Sequence, residues 1–192
     1  VQVNAIPRVF ARHVITTADA IKAADPSALT YCCGLLAPGE PYSIAWWLAF
    51  VDELEVAGRL DVLDGVHVHG YPGWASYCQD HTEDWCWAST RAALETWYAD
   101  YHVGLGLGDR PVWITEVGCA AFCDEWPDAT KLQQCVDNVL GPFVGWFVGS
   151  DYDAAFWFVT YDTPPSWQCT LLYMPGPSGW ALTEVGEAWN GW

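Results

Sequence analysis

A chain of 192 residues can bury one sizeable core, and 52% hydrophobic against 16% charged residues excludes a disordered or fibrous class. The formal charge of −17 argues against nucleic acid and anionic membrane surfaces as partners, because both would repel it. No apolar run reaches the roughly 18–20 residues of a membrane span.

Arg8 to Ala24 places Val9, Phe10, Val14, Ala18 and Ile21 at helical spacing, and Asp25-Pro26 ends that helix because the residue before proline avoids the α region. Ala28 to Leu36 is a continuous apolar run expected to form a buried strand. Pro38, Gly39 and Pro41 make a loop, and Ser43 is the expected N-cap of a helix reaching Ala57, with Gly58 as its stop. Leu60 to His69 reads as the next strand; His67 and His69 lie two apart on one face, with Tyr71 just beyond. An aromatic loop from Gly70 to Cys86 leads to a helix over Trp87–Tyr101, closed by Gly104, Gly106 and Gly108.

The stretch PVWITEVG (Pro111–Gly118) reads as a short buried strand between turn signals, rich in β-branched and aromatic residues. Simple alternation puts Glu116 on the face of Ile114 and Val112, with Trp113 and Thr115 opposite. A carboxylate at the end of such a strand is costly unless something uses or pairs it, and in parallel α/β folds that end collects active sites. A rim glutamate held by a neighbouring Arg, Tyr or His is the plainer alternative. A second loop, Cys119–Pro127, precedes a helix from about Asp128 that Pro142 is expected to interrupt. Ala154 to Thr160 is the last expected strand, followed by Tyr161, Asp162 and a Pro-rich loop to Gly179. Thr183 then caps a short helix through Trp189, so the Glu184 of the second TEVG is read as structural. Four strand–helix units with long loops after each strand indicate an α/β parallel architecture.

Eight cysteines, several of them in loops, favour disulfides and an oxidising setting, hence a secreted, extracellular protein. Cys78 with Cys86 and Cys119 with Cys123 are candidate loop staples, although spacing does not fix the pairing. Cys32 and Cys33 are adjacent in a strand and face opposite sides, so at least one is expected to be a free buried thiol. The sequence opens at Val1 rather than Met; a removed leader or an incomplete chain would each account for this. Fourteen Trp, nine Tyr and seven Phe exceed what a core of this size needs, and they fit either a sugar-stacking groove or a generous core.

If the strands are parallel neighbours, His67, His69, Tyr71, Glu116, Trp157, Tyr161 and Asp162 converge on one mouth. A carboxylate with imidazole, phenol and aromatic neighbours suits chemistry at an oxocarbenium-like anomeric centre. IKAADP (Ile21–Pro26), DGVHVHGY (Asp64–Tyr71), PVWITEVG and FWFVTYD (Phe156–Asp162) resemble helix four and strands six, seven and eight of glycoside hydrolase clan A. The likeness is strongest to its small cellulase-like and β-1,3-glucanase-like TIM barrels.

The resemblance implies a partial (β/α)8 TIM barrel of about four parallel strand–helix units, strands five to eight, in one domain spanning residues 1–192. It implies a retaining β-glycoside hydrolase acting on a glucan-type polysaccharide or oligosaccharide, with no cofactor and no metal. Glu116 takes the place of the nucleophile, His69 and Tyr71 of the groups that assist it, and Trp157 of the floor of the −1 sugar site. His67 and Tyr161 complete the candidate substrate-binding set, though His67 also reads as a hydrogen-bonded barrel histidine. One departure is large. The clan's acid/base Glu lies in an Asn-Glu pair ending strand four, and this sequence contains no such dipeptide. A full barrel needs about 250 residues, so the chain reads as the carboxyl-terminal half, with an N-terminal half-barrel missing. Glu40 is the available stand-in for the acid/base.

Two other readings stay open. His67-x-His69 is a zinc-ligand pattern in metal-dependent hydrolases, short of further ligands here. A carbohydrate-binding protein without catalysis would use the aromatic loops around Trp74, Trp85, Trp126 and Trp167. An open sheet edge would also allow pairing with a second copy.

Overall fold

Four short parallel strands form the frame: β1 (Tyr31–Leu35), β2 (Gly65–His69), β3 (Val112–Val117) and β4 (Ala154–Trp157), in that order across one sheet. They are seen in a computed structural model that describes residues 6–35, 38–71, 85–118, 129–157, 173–176 and 179–191. Helix α1 (Pro7–Ala24) precedes β1 and α2 (Pro41–Val56) joins β1 to β2. Helix α3 (Trp85–Thr96) lies between β2 and β3, and α4 (Ala129–Cys135) with α5 (Gly141–Phe147) lies between β3 and β4. Helical crossovers are what parallel neighbours require. A two-stranded antiparallel hairpin, β5 (Tyr173–Gly176) and β6 (Gly179–Leu182), stands where the sequence indicated only loop, and α6 (Glu184–Asn190) closes the described chain. Thr183 caps α6 as expected, its hydroxyl accepting from the Gly186 N–H at 3.0 Å.

The sheet has two unlike faces. Val66 and Val68 of β2 and Val112 and Ile114 of β3 are fully buried, in a core with Trp47, Phe50 and Leu54 of α2, Leu94 of α3 and Phe143 of α5. The alternate residues His67, His69, Trp113 and Thr115 are only half-buried, on a face that the helices leave open. Low on that face the Tyr31 ring lies 4.4 Å from Trp113, and Phe156 lies 5.7 Å from Trp113. Gly65 makes the first contact possible, because a Cβ at that position would run into the Tyr31 ring. Among the described residues β1 and β4 each pair along one edge only.

Polar groups fix where the strands begin. The Asp64 carboxylate accepts from Lys22 Nζ (2.8 Å), the Thr30 N–H (2.8 Å) and the Thr30 hydroxyl (2.9 Å), tying α1 to the entrance of β2. Arg110 donates to the carbonyls of Leu60 and Leu63, and Asp153 accepts from the Val112 N–H at 2.8 Å. These contacts shorten two expected strands. Thr30 gives its N–H to Asp64, so β1 starts at Tyr31, and Leu60–Val62 forms a 3-10 turn before β2.

Other boundaries moved for identifiable reasons. Ser43 does not cap α2; it is buried within the helix, which begins at Pro41 with Glu40 as N-cap. Proline suits the first helical position, where a missing N–H costs nothing. The interruption expected at Pro142 takes the form of a π-helical turn over Val136–Leu140, after which Pro142 sits in the first turn of α5. The expected free thiol in β1 is absent: Cys32 and Cys33 are bonded to each other. The pairing of β1 with β2 slips between Cys32 and Leu35, so the alternation that separated the two side chains does not hold. Cys135 is also disulfide-bonded, and the described residues include no free cysteine. Cys78, Cys119, Cys123, Cys169 and the Cys86 side chain lie outside what is described. No described helix is long and apolar enough to cross a membrane.

The Lys22 hydrogen bond, reinforced by Thr30 against the cost of burial, holds Asp64 below the usual carboxylate range. A depressed folded-state value contributes stability above the unfolded pKa that is lost as pH falls through the folded one. Asp64→Asn should therefore cost about 1 kcal/mol at neutral pH. In urea titrations the gap between the two proteins should close in strong acid.

Candidate active site

The site lies where β2 and β3 end, and an irregularity in their pairing creates it. Val68 pairs with Ile114, yet the next pair is His69 with Glu116, so Thr115 is an extra residue on β3. Such a bulge turns the side chains beyond it. Strict alternation would place Glu116 under the helices with Val112 and Ile114. Instead Val117, fully buried, takes the helix-covered position and Glu116 faces the open side with His69. The expectation that Glu116 shares the face of Ile114 is thus reversed. The Gly70 N–H donates to the Glu116 carbonyl at 2.7 Å and locks the register beyond the bulge.

Around Glu116 the groups come together closely. The Tyr71 hydroxyl donates to Glu116 Oε2 at 2.7 Å. His69 Nδ1 lies 3.4 Å from the same oxygen, and among the described residues this buried nitrogen makes no hydrogen bond. The Tyr71 ring meets His69 edge-on at 90° and 6.1 Å, and the His67 and His69 rings lie 6.5 Å apart. His67 Nδ1 accepts from the Gly34 N–H at 3.0 Å and lies 3.0 Å from the Thr115 hydroxyl. Glu116 keeps 33% of its side chain exposed against 14% for His69, so a reactant can reach the carboxylate while the imidazole stays enclosed.

Burial sets the protonation states of the neighbours. It pushes His67 down, helped by the charge of His69 and opposed by Glu116. It pushes His69 down against the pull of Glu116. Tyr71 is driven far up by burial, then by its hydrogen bond to Glu116 and that carboxylate's charge. At neutral pH the neighbours of Glu116 are therefore neutral imidazoles and a phenol that keeps its proton. The phenol's hydrogen bond orients one Glu116 oxygen.

A groove of about 670 Å³ opens beside the site, between α1 and β1. Phe10, Val14, Tyr31 and Cys33 line it together with His67 and His69. Of the residues expected in the site, His67, His69, Tyr71 and Glu116 are brought together. Trp157 is not among them. It pairs in register with Val117, and its ring lies 5.8 Å from Trp189 of α6, on the helix-covered side. Its neighbour Phe156, 48% exposed, stands on the open side instead. Tyr161, Asp162, Trp74, Trp126 and Trp167 lie outside the described residues, as does the Trp85 side chain. Glu40 is exposed at the start of α2, and Glu184 falls in the first turn of α6. His13 is exposed on α1, and His102 is buried against the Arg110 carbonyl at 3.1 Å. Among the described residues no group of three or more His, Cys, Asp or Glu side chains is placed to hold a metal ion. Gly34 and Thr115 were not singled out from the sequence; a glycine within a buried strand run is the one signal that pointed to a close approach.

No family model and no curated protein matches the sequence. Solved structures do. A GH128 (subgroup II) endo-β-1,3-glucanase from Pseudomonas viridiflava is similar at a TM-score of 0.58 and 19% identity, over 95% of this chain and 61% of that one. BuGH86 in complex with neoagarooctaose is similar at 0.60 and 15%, over 97% of this chain and 30% of that one. A glucosidase from Croceicoccus marinus is similar at 0.56 and 15%, over 91% and 32%. The chain thus has a glycoside hydrolase-like α/β fold and spans 61% or less of the length of these three structures.

Three histidines, His67, His69 and His102, are held below the ordinary histidine range, first of all by burial. The unfolded chain binds protons that the folded one refuses, so stability rises with pH. It should be fully present above about pH 6.5 and fall below it, by up to about 1.4 kcal/mol per pH unit for each histidine. Urea unfolding at stepped pH measures this, and His69→Gln should remove one histidine's share of the slope.

Proposed function

We propose that this chain is the nucleophile-bearing part of a retaining β-glycoside hydrolase acting on a glucan-type polysaccharide, with Glu116 as the nucleophile. The observation that carries the reading is the placement of Glu116: exposed by a bulge at the carboxyl end of β3, with Tyr71 and His69 on one of its oxygens. The free face of the carboxylate attacks the anomeric carbon, the glycosidic oxygen leaves, and water later releases the sugar from the ester. Tyr71 orients the attacking group, and His69 supports it from within the sheet. His67 lines the adjoining groove, where a sugar hydroxyl can meet its ring.

The leaving oxygen needs a proton from a second carboxyl about 5 Å from the first. Among the described residues, the groups touching Glu116 are an imidazole and a phenol. We infer that the chain corresponds to strands five to eight of a barrel, and that the acid/base belongs to the other half. Support comes from the two sheet edges that pair on one side only among the described residues, from the half-open aromatic face, and from the fraction of each neighbour covered. The disulfides at Cys32–Cys33 and Cys135 favour an oxidising, extracellular setting for this half-barrel.

A mechanism-based 2-fluoroglucoside should add one glycosyl mass, located by peptide mapping on Glu116. Label on Glu40 or Glu184 would reject the assignment. Glucan binding without label or turnover, unchanged by Glu116→Gln, would establish a binding protein instead. For the half-barrel, the coding sequence upstream of Val1 should specify further strand–helix units with an Asn-Glu pair; a start codon directly before Val1 would end that reading.

A further inference from the structure

We infer that Gly34 is a positioning residue for the Glu116 site: with Thr115 it fixes the His67 ring, and its bare Cα leaves the room in which His67 and His69 stand. The inference rests on the reading of Glu116 as the reacting group. The Gly34 N–H donates to His67 Nδ1 at 3.0 Å, and the Thr115 hydroxyl lies 3.0 Å from the same nitrogen. A ring nitrogen that accepts from an amide carries no proton, so neutral His67 carries its proton on Nε2. The proton position is thus dictated by the backbone of β1, an element that contributes no side chain to the contacts of Glu116.

Space makes the second half of the argument. A Cβ at Gly34 would sit 3.0 Å from His67 Cε1 and 3.3 Å from His69 Nε2. Neither ring can simply retreat, since His67 is bound to β3 through Thr115 and His69 is braced edge-on by Tyr71. The backbone at Gly34 also has φ +46°, a conformation that side chains other than glycine rarely adopt. Both requirements converge on glycine. The groups facing His67 are His69 on its own strand, Thr115 and Glu116 on β3, Gly34 beside the Cys32–Cys33 disulfide on β1, and His13 of α1 on the groove wall. Burial, which holds His67 neutral, is consistent with a ring used for its shape and its one N–H rather than for its charge.

Imidazole ¹⁵N spectra of the full chain test this without reliance on turnover. Wild-type His67 should appear as the Nε2-protonated tautomer. Thr115→Val should move the His67 signals, and Thr115→Ser should restore them. Gly34→Ala should shift both histidines and slow 2-fluoroglucoside labelling of Glu116 about 10²-fold, as expected for a displacement of about 1 Å. If Gly34→Ala does not fold, the Thr115 pair decides alone. A wild-type His67 protonated on Nδ1, or His67 signals indifferent to Thr115→Val, would overturn the inference. Wild-type protein that shows the tautomer and never labels at Glu116 would leave the His67 geometry standing and overturn both the nucleophile and the positioning role built on it.

Discussion

The short hydrogen bond from Tyr71 to Glu116 depends on one extra residue in β3. Without the bulge at Thr115, the carboxylate would be driven into a layer where Val66, Val68, Val112 and Ile114 exclude water completely. An unpaired carboxylate there would cost several kcal/mol. With the bulge, Val117 fills that layer and the carboxylate emerges beside a phenol and an imidazole. One backbone irregularity thus satisfies the core and exposes the Glu116 carboxylate together.

The rest of the sheet holds that irregularity in place. Asp64 and Arg110 pin the entrances of β2 and β3, and the Gly70 N–H closes the register on the far side. Between these fixed points the strands are only five and six residues long, so a one-residue slip has little room to relax. Helices α2, α3 and α5 seal one side, and the His67, His69, Tyr71 and Glu116 cluster lies on the other. Rigid support behind an open face is the arrangement that lets a carboxylate be pre-aimed rather than recruited.

Much of this was legible in the sequence, because the signals were local. β-branched runs marked the strands, Thr183 marked its cap, and H-x-H-x-Y beside ITE marked residues that the structure brings together. What escaped depended on pairing. The face of Glu116 was misjudged because alternation has no term for a bulge, which exists only relative to the neighbouring strand. The same blindness assigned a free thiol to Cys32 or Cys33, where β1 also slips. Trp157, placed by its position in a motif, pairs in register with Val117, and its ring lies 5.8 Å from Trp189.

Gly65 couples two strands that do not pair with each other. Tyr31 crosses over it to reach Trp113, so β1 and β3, which share no ladder, are coupled through aromatic rings over the gap that a missing side chain leaves in β2. Drift at this codon is confined: even alanine would unseat the bridge, whereas Gly58 has open space around it. In any set of descendants of this chain, position 65 should stay invariant for mechanical reasons, at the opposite end of β2 from His69, while the surface turn at 58 records only its backbone geometry.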